Sequence, residues 1–169
     1  MSHAVVGLAL GTLSSFPRRH RTFGLASAAL PVLPDLDVFG RAFGIAFYSM
    51  WGHRGMSHSF VGAAVIGLIA ALLLRRRLGG PLAPLAVYFA AVTASHGVLD
   101  ALTDGGPGVA FFAPFDTTRY FFPWRPIPVS PLASNFFSAW GWHVFTSELA
   151  LLWLPAALVM LLARRLVRR

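Results

Sequence analysis

His96 and Asp100 are the residues whose types and spacing point most directly to chemistry. They lie four positions apart in an otherwise apolar stretch. In a helix, this spacing places both side chains on one face, with Cβ atoms about 5–6 Å apart. An imidazole nitrogen and a carboxylate oxygen at that separation can bind one cation, and ionisable groups in an apolar helix are commonly functional. The alternative is a polar pair that only faces the interior of a helix bundle.

Two further motifs carry side chains that bind metals. The stretch from Pro34 to Asp37 reads Pro-Asp-Leu-Asp, and its paired carboxylates suit hard or borderline cations, although Asp after Pro is also a common turn. The stretch from His53 to His58 reads His-Arg-Gly-Met-Ser-His and offers two imidazoles, although it could also be an interfacial loop. The predicted metal ligands come from these motifs and from the start of the chain: His3, Asp35, Asp37, His53, His58, His96 and Asp100.

Several other polar residues could take part in a reaction at such a site. Asp37 or Asp104 could act as a general base. Arg54, Arg119 and Arg125 could hold phosphate oxygens, or could instead pair with acids or contact phospholipid. The predicted catalytic residues are therefore Asp37, Asp104 and Arg54. Two more polar residues, His143 and Glu148, are five positions apart, which is a poorer helical pairing than a spacing of four.

The composition indicates that the solvent of this chain is lipid. Its 169 residues suit one domain, residues 1–169, with 56% hydrophobic and 12% charged residues; soluble domains have about 25% charged residues. There is no cysteine, so any metal must be held by nitrogen and oxygen. The net charge of +8 comes from arginines clustered beside apolar runs, which indicates membrane topology rather than a nucleic-acid partner.

Five apolar segments must position the candidate ligands: residues 3–16, 22–33, 59–74, 81–102 and 145–163. The last three approach the roughly 20 residues of a membrane span, and the first two are predicted to be short spans or a re-entrant pair. Three arginine clusters, at 18–21, 75–77 and 164–169, then fall on one side, which the positive-inside rule makes cytoplasmic. Every Asp, every Glu and every His except His20 falls on the extracytoplasmic side.

The loops on that side are not simple linkers. Residues 39–51 are apolar and aromatic and are predicted to form a short helix along the interface. Residues 103–142 are rich in proline, phenylalanine and tryptophan, and are predicted to form a stiff cap that dips into the headgroup region. The expected fold is an all-α polytopic membrane helix bundle of about five spans with this extracytoplasmic cap.

The order of these motifs resembles the YdjM-like family of LexA-regulated, membrane-bound, metal-dependent hydrolases. The resemblance rests on His3, the stretch from Leu33 to Asp37, the stretch from His53 to His58, and His96 with Asp100, and extends through about residue 130. That family is distantly similar to the zinc-dependent phospholipase C and single-strand nuclease group. The resemblance implies one zinc ion held by Asp35 or Asp37 with His58, His96 and Asp100, and a further ligand role for His3. A third ion is not implied, because the group's later His-x-x-x-Glu element is not reproduced by His143 and Glu148.

The predicted function is that of a metal-dependent hydrolase at the outer face of the cell (inner) membrane. One or two zinc ions, or another divalent metal, would lower the pKa of a bound water toward about 7 for attack on a phosphoester. The expected partners are membrane lipids and a lipid or lipid-linked phosphate substrate. One alternative is a metal or proton transporter, which should place acids at mid-depth on several helices. Another is a structural membrane protein whose metal only fixes its loops.

Overall fold

The chain folds into helices joined by turns and one long loop. The computed structural model describes residues 2–14, 16, 21–130 and 137–167, and that part of the chain contains no named strand. The predicted all-α membrane bundle is therefore confirmed. Its five helical runs are α1 (Ser2–Leu13), α2 (Arg21–Ala29) continued by a 3-10 helix (Leu30–Phe43), α3 (Phe60–Leu78) after a short 3-10 turn (Met56–His58), α4 (Leu82–Ala101), and α5 (Ala139–Glu148) joined to α6 (Leu154–Val167) by a π-helical turn (Leu149–Trp153).

Three of the five runs are long and apolar enough to cross a membrane. They are Arg21–Phe43, Leu82–Ala101 and Ala139–Arg165. The helix α1 has only 12 residues. The helix α3 has 19 residues, but its last turn carries Arg75, Arg76 and Arg77. The fold thus contains the five predicted helices, but three of them, not five, meet the length and composition of a full span.

The second helical run is longer than predicted. The sequence pattern ended it at residue 33, whereas the 3-10 helix continues to Phe43 with Pro34 inside it. Proline has no backbone N–H and disrupts a regular α-helix, so the chain continues in the tighter 3-10 form. Asp35 and Asp37 therefore lie on a helix and not in the turn that the Pro-Asp pair predicted.

The predicted interfacial helix at residues 39–51 does not form as a separate element. Its first residues belong to the 3-10 helix, which ends at Gly44 in the left-handed conformation, with φ of 81°. The N–H of Gly44 bonds to the carbonyls of Arg41 and Gly40 and so closes the last turn. Residues beyond it are irregular and form turns up to the short helix at Met56.

The fifth segment is also longer than the predicted residues 145–163. It begins at Ala139, because Ser138 caps the helix by accepting a hydrogen bond from the Gly141 N–H. The π-helical turn Leu149–Trp153 interrupts the run, and α6 extends it to Val167.

The helices α3 and α4 pack closely through small residues. They are joined by residues 79–81 and run alongside each other, and at Gly67 an added Cβ would lie 2.3 Å from the backbone nitrogen of Ala90. A core of buried Phe23, Leu30, Ala71 and Leu85 with their neighbours lies where α2, α3 and α4 meet.

Gly67→Val is expected to lower the free energy of unfolding by about 1–3 kcal/mol or more, because backbone atoms of α4 cannot move aside for the new side chain. The measurement is thermal unfolding in detergent. Gly24→Val is the matched control, since nothing lies within 4 Å of a Cβ at that helical position. Equal shifts of the melting temperature in the two variants would contradict the tight α3–α4 contact.

The chemistry-bearing residues collect at one end of the bundle. His3 lies at the start of α1, Asp35 in the 3-10 helix that continues α2, and His96 in the last turns of α4. The arginines that end α3 and Arg164 and Arg165 of α6 lie toward the other end. The predicted arginines Arg18, Arg19, Arg168 and Arg169, and His20, lie outside the described residues. The side of the membrane that each end faces stays a prediction.

The long loop after α4 folds back on the helix ends. Isolated bridges join Thr103 to Ile127 and Val109 to Tyr120, and the side chain of Val109 is fully buried. The backbone N–H of Phe60, at the start of α3, donates to the carbonyl of Phe111. Insertion of this loop at headgroup depth stays a prediction.

Candidate metal centre

Four of the predicted ligands converge at one point. One ligand atom from each of Asp35, His58, His96 and Asp100 lies within 4.8 Å of the others. The Nε2 atoms of His58 and His96 are 2.9 Å apart. Oδ1 of Asp35 lies 3.8 Å from the His58 Nε2 and 3.4 Å from the His96 Nε2. Oδ2 of Asp100 lies 3.4 Å and 3.5 Å from the same two nitrogens.

These separations fit a tetrahedral zinc site. Bonds of about 2.0–2.1 Å to zinc place the ligand atoms of a tetrahedron about 3.3–3.4 Å apart. The five measured separations, which run from 2.9 to 3.8 Å, bracket that value. Two imidazole nitrogens and two carboxylate oxygens also form a donor set that zinc accepts.

The two imidazoles are held with Nε2 toward this point. Nδ1 of His96 donates to the backbone carbonyl of Pro31 at 2.6 Å. Nδ1 of His58 lies 3.1 Å from Oδ2 of Asp37, which accepts its hydrogen. Metal-binding histidines usually donate their second ring N–H to a carbonyl or carboxylate in this way, which fixes the tautomer and the ring orientation.

Asp37 lies behind His58 and outside the four-residue cluster. Oδ1 of Asp37 lies 2.9 Å from Nδ1 of His53, and Oδ2 accepts a hydrogen bond of 2.5 Å from the Ser57 hydroxyl. Asp37, His53 and His58 form a second, smaller group with the spacing of metal ligands. The carboxylate of Asp37 is engaged on both oxygens, so its predicted role as general base receives no support, while its contact with His58 suits a positioning residue.

Arg54 is a buried structural cation that holds Asp100. Only 4% of its surface is exposed, and its Nε lies 2.8 Å from Oδ2 of Asp100. Its other nitrogens donate to the Thr103 hydroxyl and to the carbonyls of Gly105 and Pro107, at 2.9–3.0 Å. Two of its three guanidinium nitrogens thus donate to the protein, whereas Nε makes the ion-pair contact without a hydrogen-bond partner among the described residues. The catalytic and phosphate-binding roles of Arg54 stay predictions.

The charge of the cluster favours a divalent cation. Three carboxylates, those of Asp35, Asp37 and Asp100, surround the two histidines against the one guanidinium of Arg54. Burial lowers the pKa of His58, but its hydrogen bonds to these carboxylates outweigh burial and raise that pKa to about 10. Protons and a metal ion would therefore compete for His58.

His3 borders the cluster on its open side. Its ring stacks on the ring of His96 with centroids 3.9 Å apart. Its Nε2 lies 3.6 Å from Oδ1 of Asp100, the oxygen that points away from the two central imidazoles. Its Nδ1 is buried and has no hydrogen-bond partner among the described residues. The metal-ligand role of His3 stays a prediction, and its position is compatible with one.

The remaining predicted residues lie apart from the cluster. The Arg119 guanidinium donates to the backbone carbonyls of Tyr48, Ser49, His53, Arg54 and Gly108. The Arg125 guanidinium lies 4.8 Å from the centre of the Phe121 ring, and Oδ1 of Asp104 accepts from the Val129 N–H at 2.8 Å. The position of these three residues lends no support to phosphate binding by Arg119 or Arg125, or to base catalysis by Asp104.

The cluster opens into a cavity of about 500 Å³. His3, Asp35 and Asp100 line its polar part, and Leu99, Ile127 and Leu152 are among its apolar wall residues. A polar corner beside an apolar wall is the usual composition of a small-molecule site. A ligand with a polar head and an apolar body fits that arrangement.

Comparison with known proteins identifies the family. The family model described as "YdjM inner membrane protein" matches residues 1–169, the whole length of the chain. The chain belongs to the YdjM inner membrane protein family. It is also 37% identical over 165 residues to inner membrane protein YbcI of Escherichia coli strain K12, a match that covers 95% of this chain and 93% of that protein. No solved structure matches.

Three groups near the cavity of this YdjM-family protein were missed by sequence reasoning. The Pro31 carbonyl carries no sequence signal, because a backbone group is common to all residues. Ser2 and Trp153 were overlooked because a serine at a chain start and a tryptophan in a span are ordinary.

Proposed function

We propose that this YdjM-family protein is a zinc-dependent hydrolase of the inner membrane that cleaves a phosphoester of a lipid or lipid-linked substrate. The observation that carries the proposal is the pair of imidazoles: their Nδ1 atoms are bonded to the protein, and their Nε2 atoms are 2.9 Å apart between two carboxylates. Asp35 and Asp100, which flank the buried imidazoles, line a cavity with an apolar wall, and this supports a reaction and not only a structural ion.

His58, His96 and Asp100 would hold the ion, and Asp35 would leave the fourth position to water during the reaction, since a catalytic zinc site keeps one open position. Zinc bound there supplies a Lewis acid that acidifies water and withdraws charge from a phosphoryl oxygen. The protein supplies the rest of the site. Asp37 and the Pro31 carbonyl keep the imidazoles aligned, and Arg54 keeps Asp100 in place.

Asp35 is the carboxylate best placed to accept a proton from the attacking water. Its side chain remains 44% exposed and lines the cavity, although one of its oxygens faces the imidazoles. The side chain of Asp37, by contrast, is only 6% exposed, and Asp104 bonds to a loop N–H. General-base assistance of this kind contributes about 10²- to 10⁴-fold to a rate.

The proposed orientation places the cluster on the extracytoplasmic side. Arg75, Arg76 and Arg77 end α3, and Arg164 and Arg165 lie near the end of α6, away from the cluster. Positive residues beside membrane spans are retained in the cytoplasm. A substrate would therefore reach the site from the outer leaflet.

The direct test is hydrolysis of lipid phosphoesters by purified protein in mixed micelles. We expect turnover with zinc, loss of turnover with a chelator and recovery on adding zinc back. Asp35→Asn is expected to lower kcat at least about 100-fold, whereas Asp116→Asn, which changes a partly exposed carboxylate of the loop, should leave it unchanged. A fully zinc-loaded protein that cleaves no phosphoester would reject the hydrolase, and zinc uptake into proteoliposomes would establish a transporter instead.

A further inference from the structure

Glu148 is a carboxylate that the proposed reaction does not use. It lies within the candidate span Ala139–Arg165 and is half-buried. It lines the same cavity as Asp35 and Asp100. A carboxylate inside a membrane span is costly to insert, and such residues usually face a cavity and serve a function.

Neutral groups hold this carboxylate in place. The Ser2 hydroxyl donates to Oε2 of Glu148, and the Ser130 hydroxyl lies 3.4 Å from Oε1. The indole N–H of Trp153 donates to the Ser2 oxygen at 2.9 Å, which fixes the serine in turn. Among the residues that the structure describes, no arginine or histidine forms an ion pair with Glu148. Its negative charge is therefore oriented by the described protein groups but not neutralised by them.

The π-helical turn explains why Glu148 and Trp153 act together. In an α-helix, residues five apart diverge around the axis, whereas the i to i+5 hydrogen bonds of Leu149–Trp153 bring such residues to one face. Both side chains consequently reach Ser2 at the start of α1. Isolated π-turns of this kind occur frequently at functional sites. The turn thus aims one charged group from the fifth helical run toward the metal-side cavity.

We propose that Glu148 forms a subsite for a positively charged headgroup, so that the preferred substrates are phospholipids whose phosphate carries an amine-bearing alcohol. The inference rests on the proposed function, because the phosphate of such a lipid would lie at the Asp35–His58–His96–Asp100 cluster. Tyr48 lines the same cavity, and aromatic rings stabilise ammonium groups. Phe47 lines it too, but its ring already carries the Arg41 guanidinium, 5.6 Å from the ring centre. An anionic headgroup in this cavity would meet the charge of Glu148 and be disfavoured.

Glu148→Gln isolates the charge from the structural contacts. The amide oxygen of glutamine still accepts the Ser2 hydrogen bond, while the negative charge is lost. Wild-type protein and the variant are compared on an ethanolamine-headed and a glycerol-headed phospholipid with the same acyl chains. We expect the wild type to prefer the ethanolamine lipid, and the variant to lose that preference by about 10- to 100-fold, mainly through KM, the scale of a hydrogen bond to a charged group. Zinc content should not change.

Binding measured apart from turnover separates the two proposals. Native mass spectrometry of the zinc-loaded protein with each lipid reports the preference even if nothing is cleaved. A preference that Glu148→Gln abolishes, without any hydrolysis, would support the subsite and reject the hydrolase. An equal preference in both proteins would overturn the subsite, as would loss of zinc from the variant. Asp116→Asn is the matched control, because it removes the charge of a partly exposed carboxylate that does not line the cavity.

Glu148→Asp covers the case in which Glu148→Gln does not fold. This variant keeps the negative charge but shortens the side chain by one methylene group. We expect it to retain the preference for the ethanolamine lipid at reduced strength, whereas a preference for the glycerol lipid in this variant would overturn the subsite.

Discussion

His96→Ala is expected to lower the zinc affinity of the purified protein by more than about 100-fold, because loss of an outer-shell partner alone typically costs 10- to 100-fold. His96 is fully buried at the centre of the cluster, and its Nε2 lies 3.4–3.5 Å from oxygens of Asp35 and Asp100. Its removal leaves three ligands, two of which are the carboxylates of Asp35 and Asp100. The measurement is zinc per chain by elemental analysis after dialysis against a weak chelator.

A matched control for this loss is His143→Ala. His143 is exposed on α5, and its ring lies beside the ring of Trp140. The His143→Ala variant should retain the zinc content of the wild type. This would show that loss of zinc does not follow from the loss of any histidine. Equal zinc in the wild type and in His96→Ala would remove the proposed metal centre.

Arg54→Met is expected to lower the free energy of unfolding by about 3–5 kcal/mol, because it leaves the buried Asp100 carboxylate without its cation. The variant also loses three hydrogen bonds to the loop at residues 103–107. Arg54 has a left-handed backbone with φ of 58°, which methionine would share, so the difference reports the guanidinium and not the backbone. Chemical or thermal unfolding in detergent measures it.

Arg125→Met is the control for this stability prediction. Arg125 is exposed and contacts the face of the Phe121 ring, a contact worth about 0.5–1 kcal/mol at the surface. A loss of stability in Arg54→Met no greater than in this control would show that Arg54 does not hold the loop and Asp100 together.

The apolar runs predicted the helices well where hydrophobicity alone decides their ends. The segment predicted at residues 81–102 is the helix Leu82–Ala101, since an apolar helix in lipid ends where polar residues begin. The predicted second segment ended too early, at residue 33, because Pro34 and Asp35 form a sequence pattern typical of a turn. That signal was overridden because the chain continues in a 3-10 helix, whose Asp35 and Asp37 face the histidines.

Residue types predicted which side chains come together, but not what each of them does. Asp35, His58, His96 and Asp100 are four of the seven predicted ligands, and they do converge. The catalytic roles of Asp37 and Arg54 stay predictions, and both side chains contact protein partners. Those partners include Thr103 and the Gly105 and Pro107 carbonyls, about 50 residues away in the chain, and no local pattern predicts contacts over that distance.

The spread of the cluster along the chain has a consequence for how the protein is made. Asp35 precedes α3, His58 immediately precedes it, and His96 and Asp100 lie in α4. A nascent chain that has inserted only its first three helices therefore has two of the four groups and cannot close around an ion. Metal loading must follow insertion of α4, so an ion supplied during synthesis would act on the nearly complete protein and not on its early membrane intermediates.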